Sequence, residues 1–411
     1  MTIDSTDFDV AIVGSGLVGT SLAAALGNCG FQVVVLERQA PTTRSRDTGR
    51  AFALSVASAN LVAALSDGNA LQEHGQQILE VKVSEGLAGE GARPWTLEFE
   101  ASELGLANFG YMIEEGRLKS AVDGALDAIN SVWRIAPAEA VTIRETPSRI
   151  VLSTACGRTF TAKCAVGCDG VGRSLAIGNK MRFHRKSYGQ SAVSCCVRHE
   201  QPHRGIAHQF FMPTGPIAIL PLPADRSSVV WTMDARRAAR LGKLANAEFL
   251  EQLRPAFGDF LGELSLEGRV ASWPLSMSFA YRMCAGRLAL AGDAARQLHP
   301  LAGQGLNFGF RDVAALAEVL VSARRRGEDI GSPGVLERYQ EWRRFDSMTI
   351  IAATDAFNWL YSTDDDCRGL IRPIGTSLIG RVPALRRAVL RYAAGMAGDV
   401  PKLLRGKALW A

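Results

Sequence analysis

From Phe8 the chain runs as an apolar strip, FDVAIV, then a glycine turn, GSGLVG, then the small-residue stretch TSLAAALG, and then a second apolar strip, FQVVVLE. Short continuous apolar runs on either side of such a segment predict two buried parallel strands joined by a helix. TAKCAVGCDG, from Thr161, and Leu288 to Ala291, in GRLALAGDAAR, repeat the apolar strip and end in Asp-Gly and Gly-Asp. Between them, from about Lys180 to Trp273, the pattern changes: QSAVSCCVRH, AHQFFMP, GPIAILPLP and SSVVWTMD are strand-length runs bounded by Gly and Pro, which predict an antiparallel sheet. After Gly305 the apolar residues return at helical spacing, in GLNFGFRDVAALAEVL.

Composition narrows the class without naming it. With 411 residues, 47% hydrophobic and 21% charged, the chain can bury a large core in one domain or two interleaved ones. Its apolar runs break well before the roughly 18 residues a bilayer span needs, and the acidic start MTIDSTDFDV lacks a leader's basic flank, so a cytoplasmic location is expected. A net charge of +5, with no basic run interleaved with aromatics, gives no argument for nucleic acid. The eight cysteines lack zinc-ribbon or CxxC spacing, and His199, His203 and His208 straddle Pro202; no metal site is expected.

The first strip carries chemistry. In a strand-turn-helix-strand unit, Gly14 allows the tight turn, Gly16 lets backbone approach a pyrophosphate, and Gly19 lets the helix pack on the sheet. The helix N-terminus then offers unpaired N–H groups to phosphate. Glu37, ending the second strand, can accept from both ribose hydroxyls and would repel a 2′-phosphate, so the expected ligand is FAD or NAD and not NADP.

The three patches, in this order and spacing, resemble the class A FAD-dependent aromatic monooxygenases. HPLAGQGLNFGFRDVAALAE, GRAFALSVAS, GPIAILPLP and LERYQ…IAATDAFNWLYS are similar, more narrowly, to the ubiquinone-biosynthesis hydroxylases. The resemblance implies an α/β fold of the para-hydroxybenzoate-hydroxylase-like kind, a Rossmann-like βαβ FAD-binding domain interleaved with an antiparallel-sheet substrate domain and followed by C-terminal helices. On that plan residues 1–68, 108–179 and 280–365 form the FAD-binding domain, 69–107 and 180–279 the substrate domain, and 366–411 basic amphipathic helices.

Residue by residue, it implies that Gly14, Gly16 and Gly19 cradle the FAD pyrophosphate, Glu37 the adenosine ribose, and Asp293 the ribityl and phosphate portion. Arg50 matches an arginine near the phosphates, and Asp169 an aspartate linked to FAD and to the nicotinamide donor. Gly303, Gly305 and Asn307 lead into a helix whose N–H groups can face the flavin ring; Pro300 stiffens its entrance, and His299 is the candidate base. Arg296 departs from the family, which commonly has His there.

The activity so implied is hydride transfer from NADH or NADPH to FAD, then insertion of one oxygen atom of O2 into an electron-rich ring, here that of a prenylated phenol. Phe210, Phe211, Ile217, Ile219 and Leu220 could line its cavity or equally fill a core. Other readings stay open: a soluble phenol, a non-catalytic flavin-binding subunit suggested by Arg296, or an NAD-dependent dehydrogenase. After Cys367 a basic tail with apolar residues at helical spacing predicts peripheral contact with the inner membrane, lost on truncation after about Arg381, and a quinone-biosynthesis complex is the further expected partner.

Overall fold

The computed structural model describes residues 7–40, 49–66, 68–87, 91–92, 97–212, 215–297, 304–361 and 382–410. Two large sheets and one small sheet organise them. In the first large sheet, strand Asp7–Val13 lies parallel between Val33–Leu36 and Thr159–Gly167, and the latter pairs onward with Leu288–Leu290. The apolar strips are fully buried in the first core, to which helices Leu17–Asn28 and Gly305–Arg325, packed against each other, add their own apolar residues.

The second large sheet runs Leu264–Ala280, Phe183–His199, Arg226–Asp234, Gly215–Leu222, Ile206–Met212 and Glu80–Leu87. Its expected antiparallel order has one exception: Ile206–Met212 pairs parallel with Glu80–Leu87, a strand from more than a hundred residues earlier in the chain. The small sheet joins Ala51–Ser55, Gly110–Glu114 and Gln76–Gln77.

The second sheet has two different faces. Val193, Cys195, Phe210, Ile217, Ile219 and Trp231 pack beneath helices Ala235–Leu241 and Asn246–Phe257. Cys196, Ala207, Leu220 and Leu222 turn the other way and cluster with Met112 and Ala53 of the small sheet. Phe210, Ile217 and Ile219 are therefore core, and of the five candidate lining residues only Leu220 joins the cluster on the inner face.

The tail is part of the structure. Helix Pro383–Ala393 puts Leu390 into the third core and Arg386 onto Glu103, and Leu403, Leu404 and Leu409 are buried in the first core. Truncation after Arg381 would open that core, so it cannot isolate a membrane contact.

His199 and His203 are satisfied in the core. Gly205 N–H donates to His203 Nδ1, which leaves Nε2 to donate to the Leu222 carbonyl at 2.8 Å, and His199 bonds Gln201 O and Ser227 Oγ. Burial holds His208 neutral, pushed down to about 4, with Lys82 and His203 adding to the effect. The unfolded chain binds that proton near pH 6.5, so the contribution of His208 to stability is present above 6.5 and is lost as pH falls toward 4. Urea unfolding should lose about 2 kcal/mol of stability between pH 7 and pH 4.5 through this residue. His208→Phe should flatten that slope; an unchanged slope would exclude His208 as its source.

Buried Cys164 and Cys195 are each pushed up to about 12, chiefly by desolvation, and are inert thiols. Among the described residues, no group of three or more His, Cys, Asp or Glu is placed to hold a metal.

Candidate active site

Four parallel strands end side by side. Val13 is level with Leu36 and with Gly167, and Gly167 with Leu290. Backbone bonds extend the ladder beyond the strand ends: Gly14 N–H to Leu36 O, Cys168 N–H to Val13 O and Ala291 N–H to Gly167 O, each 2.9 Å. The residues that follow each strand, Gly14 to Gly19, Glu37, Asp169 and Asp293, are thereby gathered at one edge, where open α/β sheets bind ligands.

The glycines at this edge divide by what a side chain would meet. A Cβ on Gly19 would lie 1.9 Å from Gly14 O, and one on Gly14 2.5 Å from Asp169 Cγ, while Gly14 itself has a φ of +99°. These two are required by the protein's own packing. Gly16, exposed at the N-terminus of helix Leu17–Asn28, and Gly305, at the start of helix Gly305–Arg325, would place a Cβ with no atom of a described residue beyond their chain neighbours within 4 Å. Open space in front of two helix N-termini fits a ligand whose phosphates and ring lie against backbone N–H groups.

The acids are set around that space. Glu37 is buried, its Oε2 taking the Ser15 N–H at 2.9 Å and its Oε1 that of Gln39 at 3.0 Å, which fixes the carboxylate beside the glycine turn. Asp169 caps helix Gly170–Gly178 by accepting from Gly172 N–H at 2.9 Å, and its side chain abuts Gly14. Asp293 is solvent-exposed yet walled closely enough that desolvation raises its carboxyl above the ordinary range, with Arg173 and Arg50 offsetting only part. A solvent-open, desolvated acid is the mark of a deep cleft.

Two arginines frame Asp293. Arg173 reaches across from the Asp169 helix to bond the Asp293 carbonyl. Arg50 stacks over Phe52 at 5.4 Å and over Trp273 of the second sheet at 5.7 Å, so it stands between the nucleotide edge and the inner sheet face. Asn307 commits both halves of its amide to the strand Ala51–Ser55, accepting from Ser55 N–H at 2.9 Å and donating to Ala53 O at 2.8 Å. It positions the helix entry. His299, Pro300 and Gly303 lie outside the described residues.

Arg296 is a structural cation. It is 4% exposed, and its Nη2 donates to Asp312 Oδ1 at 2.5 Å. The sequence departure at this position is thus absorbed by an internal ion pair, and the hint of lost chemistry that it carried disappears.

Beyond Arg50 and Trp273, the register aligns Gln209, Ala218, Val230, Ser194 and Ala271 in one row across the inner face of the second sheet. Ala218, Val230 and Trp273 are only half-buried. The row joins small apolar residues to the polar Gln209 and Ser194, with Trp273, which lies against Arg50, at its edge.

The family described as FAD binding domain matches residues 7–84 and 142–354. The chain belongs to it. This flavoprotein is 36% identical over 403 residues to the ubiquinone hydroxylase UbiL of Rhodospirillum rubrum, covering 97% of this chain and 92% of that one. It is 32% identical over 399 residues to the 3-demethoxyubiquinol 3-hydroxylase of Escherichia coli, covering 94% and 98%. Among solved structures, the p-nitrophenol 4-monooxygenase PnpA of Pseudomonas putida superposes with a TM-score of 0.76 at 20% identity, over 96% of this chain and all of that one. The flavoprotein is an FAD-dependent monooxygenase of the para-hydroxybenzoate-hydroxylase-like fold, with NAD(P)H as electron donor and O2 as co-substrate.

Proposed function

We propose that the flavoprotein hydroxylates the aromatic ring of a prenylated phenol in ubiquinone biosynthesis. The observation that carries this reading is its likeness, over almost the whole length of both chains, to the R. rubrum and E. coli hydroxylases. Bound FAD supplies the chemistry, taking hydride from NADH or NADPH and activating O2 so that one oxygen enters the ring and the other leaves as water.

The chain's own residues bind, orient and exclude solvent. The N–H groups behind Gly16 receive the pyrophosphate, Glu37 the adenosine ribose, and Asp293 the ribityl hydroxyls. The N-terminal N–H groups of the helix starting at Gly305 would hold the ring edge and stabilise the negative charge that reduction leaves there. Ala218 and Val230, half-buried on the inner sheet face beside Ser194, would give an aromatic ring a small apolar surface and help keep water from it.

Mass spectrometry of quinone lipids from a host lacking this gene tests the reading. A prenylated ring short of one hydroxyl is the expected product of the deletion. An unchanged quinone pool, with soluble phenols stimulating NAD(P)H oxidation by the purified protein, would move the substrate to the soluble class.

The proposal extends to location: a cytoplasmic enzyme resting on the inner membrane, where its lipid substrate lies. No described helix is long and apolar enough to cross a membrane. Support comes from helix Pro383–Ala393, where Leu385 and Val389 are exposed one turn apart, Val382 and Met396 flank them, and Arg387 and Arg391 are exposed beside them. Leu385→Glu with Val389→Glu should cut co-sedimentation with phosphatidylglycerol vesicles at least about tenfold while leaving flavin content intact. Equal sedimentation would remove the helix as the contact.

A further inference from the structure

We propose that Asp312 is a positioning residue for Asp293, acting through the short turn that carries it. This rests on the reading of Asp293 as a cofactor ligand. Asp312 lies in helix Gly305–Arg325 and is fully buried, at 0% exposure. Its Oδ2 accepts the Gly292 N–H at 3.0 Å, and its Oδ1 accepts from Arg296 Nη2 at 2.5 Å. Gly292 and Arg296 are the two ends of the turn that holds Asp293, so one carboxylate grips both ends at once.

The turn needs such a grip. Gly292 sits at φ +60°, where the chain bends sharply out of strand Leu288–Leu290, and the Val18 side chain, 3.0 Å from where its Cβ would be, closes the space behind it. Arg173 holds the Asp293 carbonyl from the opposite side. A second guanidinium, Arg343 Nε, donates to Asp312 Oδ1 at 2.8 Å and fixes the rotamer of the carboxylate. The exposed Asp293 is thereby held in place by Asp312, a carboxylate buried behind the turn.

A double-mutant cycle in FAD affinity separates positioning from plain stabilisation. Apoprotein of the full chain is titrated with FAD, and binding is read from flavin fluorescence, for wild type, Asp312→Asn, Asp293→Ala and the combination. Where D312N alone does not fold, the charge-balanced pair D312N with R296M takes its place on both arms. D312N should weaken FAD binding about tenfold in the wild-type background and less than about twofold in the D293A background, because the residue it positions is gone. Equal losses in both backgrounds, or a lowered unfolding midpoint with unchanged FAD affinity, would overturn the proposal. If D293A alone leaves FAD affinity unchanged, the assignment of Asp293 fails and the positioning role falls with it; neither result depends on the identity of the phenol.

Discussion

Gly16→Ala should give a protein that folds with an unchanged unfolding midpoint as apoprotein yet binds FAD at least about tenfold more weakly. Gly19→Ala should do something different: lower the apoprotein midpoint by several degrees and yield colourless protein. The contrast follows from geometry. At Gly16 an added methyl group meets no atom of a described residue beyond its chain neighbours within 4 Å and fills space in front of the helix N-terminus, so its cost falls on the ligand. At Gly19 it would stand 1.9 Å from the Gly14 carbonyl oxygen, and the turn and helix must separate before any ligand arrives. Overpacking of that kind costs about 1–3 kcal/mol or more. Thermal unfolding of the two apoproteins, followed by FAD titration, decides it. A G16A apoprotein as unstable as G19A would show that both glycines are packing glycines and that the open cradle is misread.

That division of labour among glycines was only half legible in the sequence. The spacing of Gly14, Gly16 and Gly19 announced the turn, since strand, turn and helix are local and their periodicities stand in consecutive residues. Glu37 was legible for the same reason, being the residue that ends the next strip. Asp169 and Asp293 were found as strand-end acids, but their meeting with Gly14 depends on the sheet order, in which Thr159–Gly167 sits between the first strand and Leu288–Leu290. Local pattern does not encode strand order.

What sequence missed was long-range in the same sense. Runs such as AHQFFMP and GPIAILPLP are apolar on both faces, so alternation could not say whether Phe210 or Phe211 faces the helices or the cleft. The link from Arg173 to Asp293 joins residues 120 positions apart. Asp312 did leave a signal: it is an acid set next to Arg311 in a helical run whose other residues are apolar or glycine, FGFRDVAALA, on a face that must be buried. A lone acid on a core face requires cationic partners, because an unpaired buried charge is too costly to keep. Arg296 was noticed only as a departure from a family pattern, and Arg343 not at all.

Asp312→Ala should be the most destabilising single substitution in the buried ion network, and Arg343→Met a mild one, although both residues are almost completely buried. The reason is charge balance. Arg296, Arg343 and Arg311 share two carboxylates, Asp312 and Asp346, through ion pairs of 2.5 to 2.8 Å. Removing Arg343 leaves two matched pairs, Arg296 with Asp312 and Arg311 with Asp346, and Met fills much of the vacated volume. Removing Asp312 leaves these three guanidinium groups with one carboxylate, Asp346, among them, takes away the 2.5 Å ion pair of Arg296 and strips the Gly292 N–H of its acceptor. Breaking a buried pair so that a charge is stranded costs about 3–5 kcal/mol, whereas replacing a cation with an apolar side chain of similar size while the remaining charges stay paired is often close to neutral. Guanidinium unfolding of the two apoproteins should therefore separate them by more than about 2 kcal/mol. Equal losses would mean that the network does not balance on Asp312 and that Arg343 carries as much of it.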